Sequence, residues 1–275
     1  MKRNIENAMI GVILAVGLFM ALFPYVWLIL TSFKTDAESI SIPPTILAHP
    51  TLANYEYVIF QEGVGILFYM KNSAIIAAGS VALSLLLGVS AAYAFTRFRF
   101  RGSGGLAFWI LSTRMGPPMG IIVPIFLLWK FLDLYDTLLG MILVYTMINV
   151  PFVVWMMKGY FQEIPKEIEE AAMADGCSRL MAFRKIMLPL ALPGLVATGV
   201  FCLLVSWNEF FFALLLTGTV ARTAPVAITS SISTEIVRWG EMCASSTLVL
   251  IPVLVCFAYV QKHFVRGLTL GAVRG

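Results

Sequence analysis

Three adjacent residues with ligand-binding chemistry interrupt an apolar stretch late in the chain: Trp207, Asn208 and Glu209, in VSWNEFFFALLLTG. An indole ring, an amide and a carboxylate together suit a polyhydroxyl compound, because its hydroxyls hydrogen-bond to the polar groups while its flat face stacks on the ring. A second apolar stretch, STRMGPPMGIIVP, contains Arg114 and Pro117. We predict that these five residues line a substrate pathway rather than carry out covalent chemistry.

Motifs for other kinds of chemistry are absent from the sequence. Its cysteines stand singly and its two histidines lie far apart, so no metal-ligand spacing occurs. No GxSxG motif and no His/Glu metal motif is present, which argues against an intramembrane enzyme. No GxxxxGK[ST] loop is present either, so we expect this chain to bind no nucleotide or other cofactor itself.

The composition indicates a membrane protein. Of 275 residues, 60% are hydrophobic and only 12% are charged, whereas about 25% are charged in soluble domains. A membrane-spanning helix needs about 20 apolar residues, and runs of that length lie at about 9–31, 72–95, 106–128, 138–157, 190–216 and 243–263. Because a helix satisfies its own backbone groups in lipid, these runs predict an all-α polytopic membrane protein with six transmembrane helices.

Two of these runs have features that bear on helix packing. In the second run, small residues recur every four positions and predict a face for close helix approach: Ser80, Ser84, Gly88 and Ala92. The third run contains the consecutive prolines Pro117 and Pro118, which break a helix and free backbone carbonyls. Such a break is tolerated in a membrane only where it is buried or faces a water-filled cavity.

Arg114 and Glu209 each admit more than one interpretation. A charge that deep in a span usually faces a cavity or a partner. Arg114 could instead extend along the helix to the cytoplasmic interface. Glu209 could contact substrate, or it could pair with Arg114 and hold two helices together.

The distribution of Lys and Arg predicts the orientation. Most of them fall on the side that would be cytoplasmic if both termini are inside, as the positive-inside rule requires. The first run is longer than a usual signal-peptide core and has no small-residue cleavage site behind it, so we expect a retained helix. The net charge of +4 follows from this topology and needs no nucleic-acid partner.

The predicted cytoplasmic loop 160–189 has an unusual number of charged residues and a two-part pattern. Pro165 and the acids after it start a helix, and Gly176 is suited to end it. Ser178 is suited to cap a second helix, which Pro189 stops from continuing unbent into the membrane. A connection this long, compared with about 4–6 residues in ordinary loops, indicates a docking element for another protein.

This loop resembles the EAA loop of permease subunits of binding-protein-dependent ABC importers. The matching residues are Glu170-Ala171-Ala172, Gly176 and, after nine residues, Ile186-x-Leu188-Pro189. The ending GLTLGAVRG (267–275) and the SWNEF segment resemble the carbohydrate-uptake branch, in particular maltose-permease-like subunits. The resemblance covers 9–275 and implies a type I ABC importer permease fold in a single transmembrane domain.

The resemblance also implies partners and roles. It assigns ATPase coupling to Glu170, Ala171, Ala172, Gly176 and Arg184. It assigns contact with the ATPase dimer interface to Leu268–Arg274 in the tail 264–275. The implied partners are a homologous second permease, two copies of a cytoplasmic ATPase that bind ATP and Mg²⁺, and an extracytoplasmic sugar-binding protein. The implied location is the inner or cytoplasmic membrane of a bacterium or archaeon.

Two transport alternatives remain open at this point. The same fold serves importers of non-sugar solutes, against which the carbohydrate-type ending argues. An ion-coupled secondary transporter would often show internal repeats with broken helices in both halves, whereas the break in the third run has no evident counterpart.

Overall fold

The computed structural model describes residues 2–46, 49–60, 65–98, 100–229 and 237–271. Within these ranges the chain forms α1 (Lys2–Ser32), α2 (Asp36–Ser39), α3 (Ala53–Phe60), α4 (Ile66–Arg97), α5 (Ser103–Ser112), α6 (Pro118–Phe131), α7 (Leu138–Glu163), α8 (Lys166–Ala174), α9 (Arg179–Ala182), α10 (Leu188–Leu190), α11 (Leu192–Trp207), α12 (Phe211–Leu216), α13 (Ala224–Ile228) and α14 (Trp239–Gly271). A 3-10 turn follows α5, and a π-helical turn, Phe183–Met187, joins α9 to α10.

Four helices are long and apolar enough to cross a membrane: α4, α7, and the parts Met9–Ser32 of α1 and Trp239–Ala258 of α14. Two bent pairs reach the same length and composition if each pair is counted as one span: Ser103–Met115 with Pro118–Phe131, and Arg179–Leu190 with Leu192–Trp207. The described residues thus provide four to six spans. The prediction of an all-α membrane protein is confirmed.

The predicted third span is broken where the prolines stand. The helices before and after Gly116 and Pro117 are bent by 95° relative to each other. Pro118 occupies the first turn of α6, where its missing N–H costs no helical hydrogen bond. The break expected from the sequence is therefore present, and it turns the chain sharply.

The predicted fifth span, 190–216, differs from the expectation. Its helix α11 ends at Trp207, and α12 forms a separate six-residue helix. At the other end, the helix continues through Pro189 to Leu190, and the 74° bend follows at Ala191. Pro189 therefore does not end the helix itself, and the bend expected from this proline comes two residues later.

One compact unit consists of residues 1–68 and 227–252. In this unit, Asn54 on α3 is buried and its amide donates hydrogen bonds to the carbonyls of Ser32 (2.9 Å) and Lys34 (2.8 Å). The Lys34 ammonium lies 4.2 Å from the ring centroid of Trp27. These contacts fix the end of α1 against α3.

The other unit consists of residues 69–226 and 253–275, and its core confirms the predicted small-residue face of α4. Ser80, Ser84 and Ala92 are fully buried. At Gly88, an added Cβ would lie 2.6 Å from a methyl carbon of Val153, so only glycine permits this approach of α4 to α7.

Hydrogen bonds in the same core join three membrane helices. The Asn149 amide on α7 donates to the Ser206 hydroxyl on α11 at 2.8 Å, and that hydroxyl lies 3.2 Å from the Ser80 hydroxyl on α4. All three residues are buried. Each polar group thus finds a partner inside the protein, which a lipid environment demands.

At the start of α7, Asp136 holds the segment that follows α12. Its carboxylate accepts hydrogen bonds from the backbone N–H groups of Thr219 (2.9 Å), Val220 (3.1 Å) and Ala221 (2.9 Å). Burial by itself raises the pKa of this carboxyl, but the backbone N–H donors outweigh that effect and hold its pKa below the ordinary value. Asp136 therefore acts as an ionised clamp between two loops.

We expect Asp136→Asn to lower the free energy of unfolding by about 1–2 kcal/mol, because an amide presents only one acceptor oxygen to three donors. Thermal unfolding in detergent at pH 7 checks this. Asp133→Asn is the matched control, since Asp133 also has a positive φ (54°, against 53° at Asp136) but its side chain makes no hydrogen bond within the described ranges.

The clamp is also expected to depend on pH in a defined direction. A carboxyl with a lowered folded-state pKa contributes stability that is present above its unfolded pKa and is lost as the pH falls through the folded value. The difference in unfolding temperature between the wild type and Asp136→Asn should thus be constant above about pH 5 and shrink below it. A difference that persists unchanged in acid would contradict the clamp.

Candidate functional site

The first candidate site is the helix α8, which follows α7 directly. Of its EAA residues, Ala172 is buried (7% exposed), whereas Glu170 and Ala171 are exposed. A small side chain on the exposed face leaves room for another backbone or side chain to approach closely. α8 thus has one face packed on the protein and one available to a partner.

A tight turn ends α8, as the sequence predicts. Gly176 has φ +92°, in the left-handed region that glycine favours, and an added Cβ would meet no atom within 4 Å. The Cys177 N–H donates to the Ala172 carbonyl at 3.0 Å, which satisfies a carbonyl at the helix end. Glycine is therefore needed here for its backbone conformation and not for lack of space.

The second helix of the loop begins at the predicted cap. The Ser178 hydroxyl accepts a hydrogen bond from the Met181 N–H (3.3 Å). The helix then passes through the π-helical turn, where Arg184 is exposed. The predicted coupling residues Glu170, Ala171 and Arg184 are thus all exposed, while Ala172 packs inward.

A buried ionic cluster under α8 was not predicted from the sequence. The Arg97 Nε, at the end of α4, donates to the Glu169 Oε2 at 2.8 Å, and the two side chains are only 5% and 4% exposed. The Tyr93 hydroxyl donates to the other oxygen of Glu169. The spacing of Tyr93 and Arg97 is the sequence signal for this cluster: residues four apart share one helix face, so both side chains can reach the same partner.

The second candidate site is a cavity of about 530 Å³ beside the broken third span. Arg114 lines it and is exposed, and its guanidinium carbon lies 5.1 Å from the ring centroid of Phe152. Apart from Thr113 and Thr146, the remaining lining is formed by apolar residues and backbone. Arg114 therefore supplies the charge of this cavity.

Glu209 has a local partner that the sequence did not suggest. Its two carboxylate oxygens accept hydrogen bonds from the N–H groups of Phe212 (3.0 Å) and Ala213 (3.2 Å), at the start of α12. Within the described ranges, no ion pair joins Glu209 to Arg114. The idea that these two charges hold two helices together is thus not supported in this conformation.

The other residues of the WNE segment differ in exposure. Trp207 is buried (8% exposed), so its ring does not present an open stacking surface in this conformation. Asn208 is exposed, and its amide donates to the Leu204 carbonyl at 2.8 Å. Pro117 is exposed and extended before α6. Of the predicted pathway residues, only Arg114 therefore lies in the wall of the cavity.

The predicted tail 264–275 starts inside α14, whose backbone is helical to Gly271, and 272–275 lie outside the described residues. Across the described ranges, no group of three or more His, Cys, Asp or Glu side chains is arranged to hold a metal ion.

Comparisons with known proteins place this architecture in a family. A probable ABC transporter permease protein, y4oR, of Sinorhizobium fredii is 40% identical over 93% of this chain and 91% of its own length. The diacetylchitobiose uptake system permease protein DasC of Streptomyces coelicolor is 34% identical over the full length of both chains. A solved bacterial ABC transporter involved in the import of the acidic polysaccharide alginate has the same fold, with a TM-score of 0.79 at 24% identity over 95% of this chain and 97% of that one.

The family model described as "binding-protein-dependent transport system inner membrane component" matches residues 84–270. The matched range includes both candidate sites, from the end of α4 to α14. The chain therefore belongs to the permease components of binding-protein-dependent ABC importers.

Proposed function

We propose that this chain is one of two homologous permease subunits of an importer for a sugar or sugar derivative, and that it docks on a cytoplasmic ATPase through α8. The observation that carries the docking is the exposed pair Glu170-Ala171, presented on a short helix between two membrane-spanning elements. The ATPase would bind ATP and Mg²⁺, since this sequence has no phosphate-binding loop. An extracytoplasmic binding protein would deliver the solute.

The distribution of basic residues supports the placement of α8 on the cytoplasmic side. Arg97, Arg179, Arg184 and Lys185 cluster around this loop, as the positive-inside rule requires. α7 then carries the chain across the membrane, so the Asp136 clamp lies on the opposite side. Both termini are cytoplasmic in this arrangement.

A carbohydrate substrate is supported by relatives and by residue chemistry. The relative DasC is named for uptake of diacetylchitobiose, and the SWNEF and GLTLGAVRG segments resemble the carbohydrate branch. The exposed Arg114 and Asn208 side chains offer hydrogen-bond donors of the kind that hydroxyl groups accept. The pathway would be completed by the second permease.

Energy would reach this chain mechanically. Closure of the ATPase dimer on ATP would displace α8, and that displacement would shift the membrane helices between inward-facing and outward-facing arrangements. Such a cycle needs no covalent step on this chain. It requires that α8 be both accessible to the ATPase and firmly attached to the spans.

The first test is capture of this chain from gently solubilised native membranes, followed by identification of the proteins that co-purify. We expect a second permease and an ATPase, and we expect Ala171→Trp to reduce the amount of ATPase about tenfold or more by filling the docking face. Ala37→Trp, at an exposed alanine of α2, is the matched control. Recovery of wild-type chain alone under several mild conditions would favour the ion-coupled alternative.

A second test addresses the turn after α8. We expect Gly176→Val to reduce uptake about tenfold, because a β-branched residue at φ +92° costs on the order of 1–3 kcal/mol and displaces α8. Gly176→Asn should retain most uptake, since asparagine tolerates the left-handed region. Uptake is measured with the sugar that a strain lacking this chain fails to import.

Gly102→Val controls for backbone strain in general. Gly102 has φ +83° and open space around it, as at Gly176, but it lies in the turn before α5. A loss of uptake in Gly102→Val equal to that in Gly176→Val, or normal uptake in Gly176→Val, would contradict a specific role for the turn after α8.

A third test addresses the cavity. We expect Arg114→Gln to reduce uptake about tenfold or more while the complex still assembles, because a charged donor to the solute is worth roughly 1.5–3 kcal/mol. Lys130→Gln is the control, since Lys130 is also an exposed base beside aromatic rings in the same broken span. Unchanged uptake by Arg114→Gln would remove Arg114 from the pathway.

A further inference from the structure

The buried cluster of Tyr93, Arg97 and Glu169 joins the docking helix to a membrane helix. Both carboxylate oxygens of Glu169 on α8 are occupied by donors from α4: Arg97 Nε at 2.8 Å and the Tyr93 hydroxyl. Apolar packing alone permits small sliding movements, whereas two directional hydrogen bonds to one carboxylate fix position and orientation. The Glu169 side chain thus attaches α8 to the last turns of α4.

Arg97 extends this attachment to two further elements. Its Nη2 donates to the Ile164 carbonyl at 2.9 Å, directly after the end of α7. The same nitrogen lies 3.9 Å from the Met187 sulfur, in the π-helical turn that leads towards α11. Because the guanidinium is planar and rigid, one side chain sets the relative positions of α4, α7, α8 and this turn.

Aromatic packing surrounds the cluster and excludes water. The Tyr93 ring centroid lies 4.5 Å from that of Phe183 and 5.9 Å from that of Phe161. Phe161 and Met187 are fully buried. Moving an ion pair into such surroundings has a large desolvation cost, which offsets much of its contribution to stability. We therefore look for the role of this pair in the fixed geometry that its hydrogen bonds impose.

We propose that Tyr93, Arg97 and Glu169 are positioning residues that make α8 and the cytoplasmic ends of α4 and α7 move as one body. This inference rests on the proposed docking of an ATPase at α8. Displacement of α8 by the ATPase is then transmitted to the membrane helices through the Glu169 carboxylate. Glu170 and Ala171 serve contact with the partner, while Glu169 serves transmission within this chain.

The test uses the whole complex captured through this chain, with hydrogen–deuterium exchange measured without nucleotide and after trapping with ATP, Mg²⁺ and vanadate. In the wild type, we expect exchange to change in α8 and, in the same states, in the last turns of α4 and α7. In Glu169→Gln, the change of exchange in α8 should persist. The change in α4 and α7 should fall about fivefold or more, which is the lower end of typical coupling between two sites.

Further variants separate transmission from folding. Tyr93→Phe keeps the ring contact with Phe183 and removes only the hydroxyl, so the complex should assemble and show a smaller loss of the same kind. The double variant Arg97→Met/Glu169→Gln also removes the hydrogen bond from Arg97 to the Ile164 carbonyl, so it should lose at least as much transmission to α7 as Glu169→Gln alone. Glu163→Gln, at an exposed acid ending α7, is the matched control and should respond like the wild type.

Each outcome decides between transmission and a purely structural role. If α4 and α7 respond fully in both Glu169→Gln and Tyr93→Phe, the cluster only stabilises the loop, and the inference is wrong. The inference is also wrong if, in the wild type, exchange changes in α8 but not in α4 and α7. If no ATPase co-purifies with the wild type, the proposed docking itself fails, which is a separate result.

Discussion

The structure depends above all on the requirement that backbone polar groups in lipid be satisfied inside the protein. Long helices such as α4 and α7 meet it by themselves, but breaks in the spans do not. Where α11 ends, the N–H groups at the start of α12 are satisfied by the Glu209 carboxylate. The Asn208 N–H bonds back to the Leu204 carbonyl at 3.1 Å. Asn208 and Glu209, which have the chemistry of ligand-binding residues, thus satisfy backbone groups at the helix break.

The same requirement gives the two arginines near the spans different roles. Arg97 is buried and has a carboxylate, a carbonyl and a sulfur around it. Arg114 is exposed and lines a cavity, and its guanidinium lies over the face of the Phe152 ring. A buried charge must have fixed partners, so Arg97 suits positioning. A charge in an open cavity can exchange partners, so Arg114 suits contact with a passing solute.

Much of the architecture followed from local sequence rules. Apolar length predicted the spans, consecutive prolines predicted the break before α6, and Gly176 and Ser178 predicted the helix–turn–helix, because each feature depends on neighbouring residues only. The bend at Ala191 and the burial of Trp207 depend on tertiary packing, which spacing does not encode. Glu169 was missed because its partner Arg97 lies 72 positions earlier in the chain. Its neighbour Glu170 matches the family motif, so the coupling role was assigned to Glu170 instead.

α7 connects the two candidate sites, because one end lies beside the docking loop and its middle lines the cavity. Its last residue is followed by Ile164, which accepts a hydrogen bond from Arg97, and its first turn is capped by Thr137 next to the Asp136 clamp. Between these ends, Thr146, Met147 and Pro151 line the cavity. Pro151 removes one helical hydrogen bond, but it is buried together with Val153 and Val154, which restricts bending there. A helix of 26 residues spans about 39 Å, so a change of tilt about one end displaces the other end most. α7 therefore links the Arg97 end to the cavity wall, and α4, whose Leu87 also lines the cavity, provides a second link.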